Sequence, residues 1–308
     1  MSSGRGDPQE FSYDPCEEPS YDILILSGVC TCISLCGLVG NGVVLWHLGF
    51  GMKQNSFTVY VLNLAIADFS LLLVLLLNLL LRFISPEYCI SYSALLLTCY
   101  IFFALFLFCY FAGMYLLTAM SMEQCLAALF PLWYRCHRPK HLSGILCGVL
   151  WALAAIFSTS LFIACYFEIS CGPSFRVFSI VNFALFSFFQ LFSNLALFLK
   201  LRCGSQRRHP GKLYVAVLLS VLFLVALRVP FRVENFIDIS YPRYHYISFL
   251  LASLNSSINP VIYFLVGSCR QHRFQCSLRA AFQRLFEEGA MSEERSQVPG
   301  DAVMETSV

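Results

Sequence analysis

The chain has 308 residues, 58% of them hydrophobic, 16% aromatic and only 12% charged, with a formal net charge of +2. A soluble domain of this length carries roughly twice that charged fraction. The balance points away from a water-soluble domain, and no nucleic-acid partner is expected.

Seven apolar runs follow one another, each long enough to cross a hydrocarbon core of ~30 Å. They are Ile23–Phe50, Ser56–Phe83, Ala94–Ala128, His141–Phe167, Val177–Leu201, Leu213–Ile239 and Tyr246–Val266. The expected fold is an all-α membrane protein: a seven-transmembrane helix bundle over 23–266 with short loops. Residues 1–22 form an acidic tail with no apolar core, so the first span is expected to serve as its own insertion signal.

Span two carries Asp68 at its middle, where a carboxylate costs roughly 2.5–3.5 kcal/mol on insertion scales unless paired or hydrated. Span three closes on Glu123-Gln124, and the inner loop after it holds Arg135 and Arg138. Span six holds Arg228 and Arg232 on one face about Pro230, with Glu234 and Asp238 as a second pair nearer the outside. Pro230 should kink that helix and free a carbonyl. Span seven ends Asn255-Ser256-Ser257-Ile258-Asn259-Pro260-Val261-Ile262-Tyr263. Its polar groups need partners inside the protein, and Pro260 breaks the backbone ladder, which predicts a hydrated, deformable joint. Beyond it, Phe274, Leu278, Ala281, Phe282, Leu285 and Phe286 recur at helical spacing among arginines. Residues 267–287 therefore read as a short amphipathic helix on the membrane surface, in contact with lipid, and 288–308 as a cytoplasmic tail.

Orientation follows from the basic residues, which are retained on the cytoplasmic side. With the N-terminus outside, most of the 20 Lys and Arg fall in the inner loops and inner tail, while Asp7, Glu10, Asp14, Glu17, Glu18 and Asp22 face out. A plasma-membrane, multi-pass protein is expected. Residues 305–308, Glu-Thr-Ser-Val, fit a strand-adding PDZ ligand, with Val308 filling the pocket and Thr306 hydrogen-bonding. Cys269 and Cys276 are juxtamembrane candidates for palmitoylation.

Gly40-Asn41, Leu64-Ala65-Ile66-Ala67-Asp68, Trp151, Pro230 and Asn259-Pro260-Val261-Ile262-Tyr263, each in its own span, resemble the rhodopsin-like class of G-protein-coupled receptors. A closer resemblance is to the Mas-related receptors. It rests on Phe57 to Leu64, on Tyr115-Leu116-Leu117-Thr118-Ala119, on the inner loop from Phe130 to Pro139, and on Tyr263 to Ser268. The resemblance implies that Asp68, Asn41, Asn255, Ser256 and Asn259 share a polar pocket that in many relatives holds a sodium ion. Gly113 stands where relatives place a ligating Ser, so the alternatives are an interhelical hydrogen-bond clasp and an ion site.

The resemblance also implies a switch at Glu123, Gln124, Pro230, Pro260, Tyr263, Arg135 and Arg138, where the receptor meets a G protein. Relatives have an acidic residue followed by Arg; Gln124 is neutral and cannot pair by charge, and Glu123 is open to a reading as a solvated helix-end residue. Mas-related receptors imply a Cys165–Cys171 disulfide, while the commoner rhodopsin-like pattern would join Cys99 to Cys171.

No Asp sits on span three where amine receptors hold their ligand; Phe106 is there instead. With Tyr110, Phe102, Phe103, Phe162, Phe178, Phe183 and Phe186 it forms an aromatic stripe, read either as packing and lipid-facing surface or as the wall of a ligand pocket. Arg228 and Arg232 then either recognise an acidic ligand or form internal ion pairs with Asp68 and Glu234. Glu234 and Asp238 would suit a basic peptide. The expected function is a receptor for an extracellular peptide or small acidic ligand, acting on heterotrimeric G proteins, with arrestin and PDZ proteins as further partners. No nucleophile–base or metal-ligand constellation points to an enzyme. The alternatives are a signalling-poor scaffold or co-receptor and a small-solute transporter.

Overall fold

The computed structural model describes residues 21–50, 55–88, 92–139, 141–167, 171–203, 218–219 and 242–268. Its helices are α1 (Tyr21–Phe50), α2 (Ser56–Tyr88), α3 (Tyr92–Leu129), α4 (Pro131–Cys136), α5 (Leu142–Tyr166), α6 (Cys171–Cys203) and α7 (Pro242–Ser268). All but α4 are long and apolar enough to cross a membrane. They match the expected spans one to five and seven. The expected sixth span lies outside the described residues except Leu218 and Leu219, and Leu219 packs half-buried on the core.

Helix α3 is the axis of the bundle. Of its apolar window 67% is buried, against 22% for α1, which shows Leu24, Ile25, Val29, Leu35 and Val39 to the surroundings. At 38 residues α3 is about 57 Å long, well beyond the ~30 Å hydrocarbon thickness, so its ends project or tilt. Hydroxyls along it are satisfied within the helix: Thr118 Oγ1 donates to Met114 O and Ser121 Oγ to Leu117 O, both at 2.9 Å.

Local chemistry sets the boundaries. Asn55 caps α2: its Oδ1 accepts from the backbone N–H of Phe57 (3.0 Å) and Thr58 (2.7 Å), and Thr58 Oγ1 accepts back from Asn55 N at 2.8 Å. This is a reciprocal cap of the capping-box kind. Phe130 leaves helical geometry (φ −123°, ψ 61°) ahead of Pro131, which then starts α4 at the position where a missing N–H costs nothing. The sequence reading held no helix here; six residues are too few for a periodic signal.

Close backbone approach joins α1 to α7. A Cβ on Gly37 would sit 2.1 Å from Ser257 Oγ and 2.7 Å from Leu72 Cδ1, and one on Gly40 would lie 3.1 Å from Pro260 Cβ. Only glycine admits that contact. Ser257 Oγ donates to Ile33 O (3.2 Å) across the same seam. Elsewhere Trp151 Nε1 donates to Asn63 Oδ1 at 3.0 Å, tying α5 to α2, and Ser158 Oγ donates to Ala104 O at 2.5 Å, tying α5 to α3.

Candidate functional site

Three groups of side chains lie at successive levels of α3, from Phe106 to Glu123, about 26 Å apart at 1.5 Å per residue. The level nearest the start of α3 is aromatic. Phe106 is 2% exposed, stacks on Tyr110 (5.8 Å between centroids) and meets Phe249 of α7 edge-on at 5.6 Å. Tyr246 lies 6.5 Å from Phe249. Phe102, Phe103, Phe162, Phe183 and Phe186 are half-buried, so none is simply a lipid-facing residue. Tyr115 OH donates to Asn182 Oδ1 at 2.6 Å and its ring lies 4.1 Å from that of Phe186, which pins α6 to α3. Sequence reasoning missed Tyr246, Phe249 and Asn182, because which face of α6 or α7 turns inward is not visible in runs that are apolar all round.

The middle level is polar. Asn259 Nδ2 donates to Asp68 Oδ2 at 2.7 Å, so α7 and α2 are joined through the mid-membrane carboxylate. Pro260 has no N–H to give to the carbonyl four residues before it, which is Ser256 O. Asn41 Nδ2 fills that acceptor at 3.0 Å while also donating to Gly37 O at 3.0 Å. Asn41, Asp68, Asn255, Ser256 and Asn259 are all buried, as the shared-pocket expectation requires.

A cavity of about 10 Å³ opens beside Asp68, lined also by Cys109, Tyr110, Gly113, Asn255, Ser256 and Asn259. That is room for one water-sized body. A Cβ on Gly113 would stand 3.8 Å from Asp68 Oδ1, in ordinary contact. One carboxylate and several neutral oxygens are donors of the kind that a hard monovalent cation takes.

The level nearest the C-terminal end of α3 corrects the reading of Glu123 as a solvated helix-end residue. Glu123 is buried. Its Oε2 accepts from Tyr60 OH at 2.6 Å and its Oε1 from Tyr134 OH at 2.8 Å, and it forms an ion pair with Arg138. Gln124, next to it, leaves its Oε1 buried without a hydrogen-bond partner among the described residues. Tyr263 and Pro260 are buried in α7. Sequence reasoning named Arg138 but not its partner, nor Tyr60 and Tyr134. The one signal was the spacing of Tyr134 and Arg138.

Other expected site residues lie outside the described residues: Arg228, Pro230, Arg232, Glu234, Asp238, Cys269, Cys276, Thr306 and Val308, together with the side chains of Arg135, Cys165, Cys171 and Phe178. Cys99 is a half-buried free cysteine.

The pattern described as 7 transmembrane receptor (rhodopsin family) matches residues 40–263. The chain is 36% identical to the proto-oncogene Mas of Rattus norvegicus, over 91% of this chain and 89% of that protein. It is 39% identical to Mas-related G-protein coupled receptor member X1 of Homo sapiens, over 91% of this chain and 88% of that protein. With member X2 of Homo sapiens it shares 40% identity, over 83% and 81% of the two.

Proposed function

Because the chain belongs to the rhodopsin family of seven-transmembrane receptors, and within it to the Mas-related receptors, we propose that it works at the plasma membrane with its N-terminus outside and takes an acidic ligand. As a Mas-related G-protein-coupled receptor it is a multi-pass, non-enzymatic membrane protein that acts on heterotrimeric G proteins in response to an extracellular ligand. The transporter alternative falls with that membership.

The observation that carries the mechanism is the Asp68–Asn259 hydrogen bond beside a small cavity, one level below the Phe106–Tyr110–Phe249 aromatics. A ligand that presses on these rings shifts α7 relative to α3, and Asp68 loses or regains its partner. The ligand acts only through its different affinity for the two states. Asp68, Asn255, Ser256 and Asn259 would hold a sodium ion, which supplies a fixed positive charge that favours the state with the cavity formed.

The apolar floor offers a body of the ligand its packing surface, and Arg228 and Arg232 supply the charge complement for a carboxylate, sulfate or phosphate. The test is a panel of short peptides with free carboxylate ends and small acidic metabolites, beside basic peptides, on cells carrying G-protein sensors. Arg232→Ala is expected to lower the potency of an acidic agonist by about tenfold or more, as loss of a charge-assisted hydrogen bond predicts. A basic peptide agonist that survives Arg232→Ala and is lost in Glu234→Ala overturns the acidic-ligand reading.

Further partners follow the same proposal: arrestin at the inner face, PDZ domains at Thr306 and Val308, and lipid under 267–287 with Cys269 or Cys276 palmitoylated. A Cys165–Cys171 disulfide would close the outer loop.

A further inference from the structure

The carboxylate of Glu123 draws its partners from everywhere except its own helix. Tyr60 comes from α2, Tyr134 from α4, and Arg138 from the segment after α4, fifteen residues on in sequence. Arg138 binds on both sides. Its guanidinium donates to Ser56 Oγ at 2.7 Å at the start of α2 and to Ser143 Oγ at the start of α5, and lies 5.0 Å from the centre of the Tyr134 ring. The two charged side chains are 7% and 10% exposed, so this is a buried pair, in which Arg138 Nε alone of the guanidinium nitrogens is left without a hydrogen-bond partner among the described residues. Gln124 meanwhile contributes no charge and no described hydrogen bond through its Oε1.

We infer that Arg138 is the cation of the inner switch, taking from the loop the part that α3 does not supply at Gln124. Resting on the receptor reading above, this assigns Arg138 as the residue that keeps the receptor silent by holding α4 against Glu123. One arginine bridges α2, α3, α4 and α5, so among the described residues its release leaves α4 held to Glu123 by the Tyr134 hydroxyl alone. Helix α4 carries Leu132 and Trp133, both exposed, on the same six-residue piece that Tyr134 and Arg138 hold down. The arrangement makes loop position, rather than an α3 side chain, the variable that the G protein reads. A desolvated pair with three charge-assisted or phenolic donors has two discrete arrangements, made and broken, which is what a switch requires.

The test uses the full-length receptor. Arg138→Gln and Glu123→Gln are each expected to raise ligand-independent G-protein activation by about fivefold or more per receptor at the surface, within the usual span of coupling between sites. The double variant should rise no further than the stronger single one, since both remove one interaction. Hydrogen exchange of the purified protein gives a second readout that needs no G protein: amides of 130–139 should exchange faster in Arg138→Gln, and by less in Arg138→Lys, which keeps the charge but not the fork.

Lower surface expression with unchanged activity per receptor and unchanged exchange over 130–139 would show a merely structural pair and overturn the assignment. Faster exchange with no G-protein signal from any variant would leave the switch standing and count against the coupling reading instead.

Discussion

Asp68 and Glu123 are two buried carboxylates in one bundle, and their contacts among the described residues differ. Asp68 at mid-membrane has a neutral amide donor from Asn259 and a small void beside it. Glu123 at the inner end has a cation, two phenols and, through the cation, two hydroxyls. The first, on the proposed reading, responds to a cation or to a shift of α7. The second is tied to several elements, and changing it means breaking contacts in all of them, although Arg138 Nε is buried without a hydrogen-bond partner among the described residues.

The comparison breaks most readily at Glu123. Glu123→Ala leaves Arg138 buried without its counter-charge, a change that costs about 3–5 kcal/mol. The melting temperature of the purified receptor should fall more than for any change at Asp68; an equal fall in Asp68→Asn would erase the distinction. Tyr60→Phe removes one donor to the same carboxylate and should destabilise by about 1.5–3 kcal/mol, the range for hydrogen bonds to charged groups. A neutral outcome in thermal melts would show the phenol to be a bystander.

At the other acid, Gly113→Ser fits the space beside Asp68 and offers the missing oxygen. Sodium should then protect against heat at about tenfold lower concentration, a gain of ~1.4 kcal/mol. The smallest stability effect is expected for Asp68→Asn, within about 1.5 kcal/mol of the parent, because an amide still bonds Asn259. The same variant should lose any response of its melting temperature to sodium against a large organic cation. Retention of that response would place the ion elsewhere.

The two sites differ equally in how far the sequence revealed them. Asp68 and Asn259 stand out because a polar residue in an apolar run is conspicuous, and each must find a partner inside the protein. That they share one pocket with Asn41 was implied by the family resemblance, whereas the bond from Asn41 to the carbonyl freed by Pro260 is visible only in the structure. The six described spans were legible for the same reason. Glu123 and Arg138 lie where polar residues are ordinary, at a helix end and in a loop, so neither looked costly. Their pairing depends on the turn at Phe130-Pro131 and on six residues of α4, too short for periodicity to register. The aromatics met another limit: α3 is apolar on every face, so nothing in its pattern said that Phe106 turns toward Phe249.

The glycine seam between α1 and α7 bears on how the molecule is made. Its two halves are the first and last of the described helices to leave the ribosome. Until α7 arrives, the notch at Gly37 and Gly40 and the side chain of Asn41 have no Ser257, Pro260 or Ser256 to meet. A nascent chain therefore carries an unclosed polar groove in its opening helix through most of synthesis. Any premature stop ahead of α7 leaves that groove displayed in the bilayer, a mark by which membrane quality control can tell an unfinished receptor from a finished one.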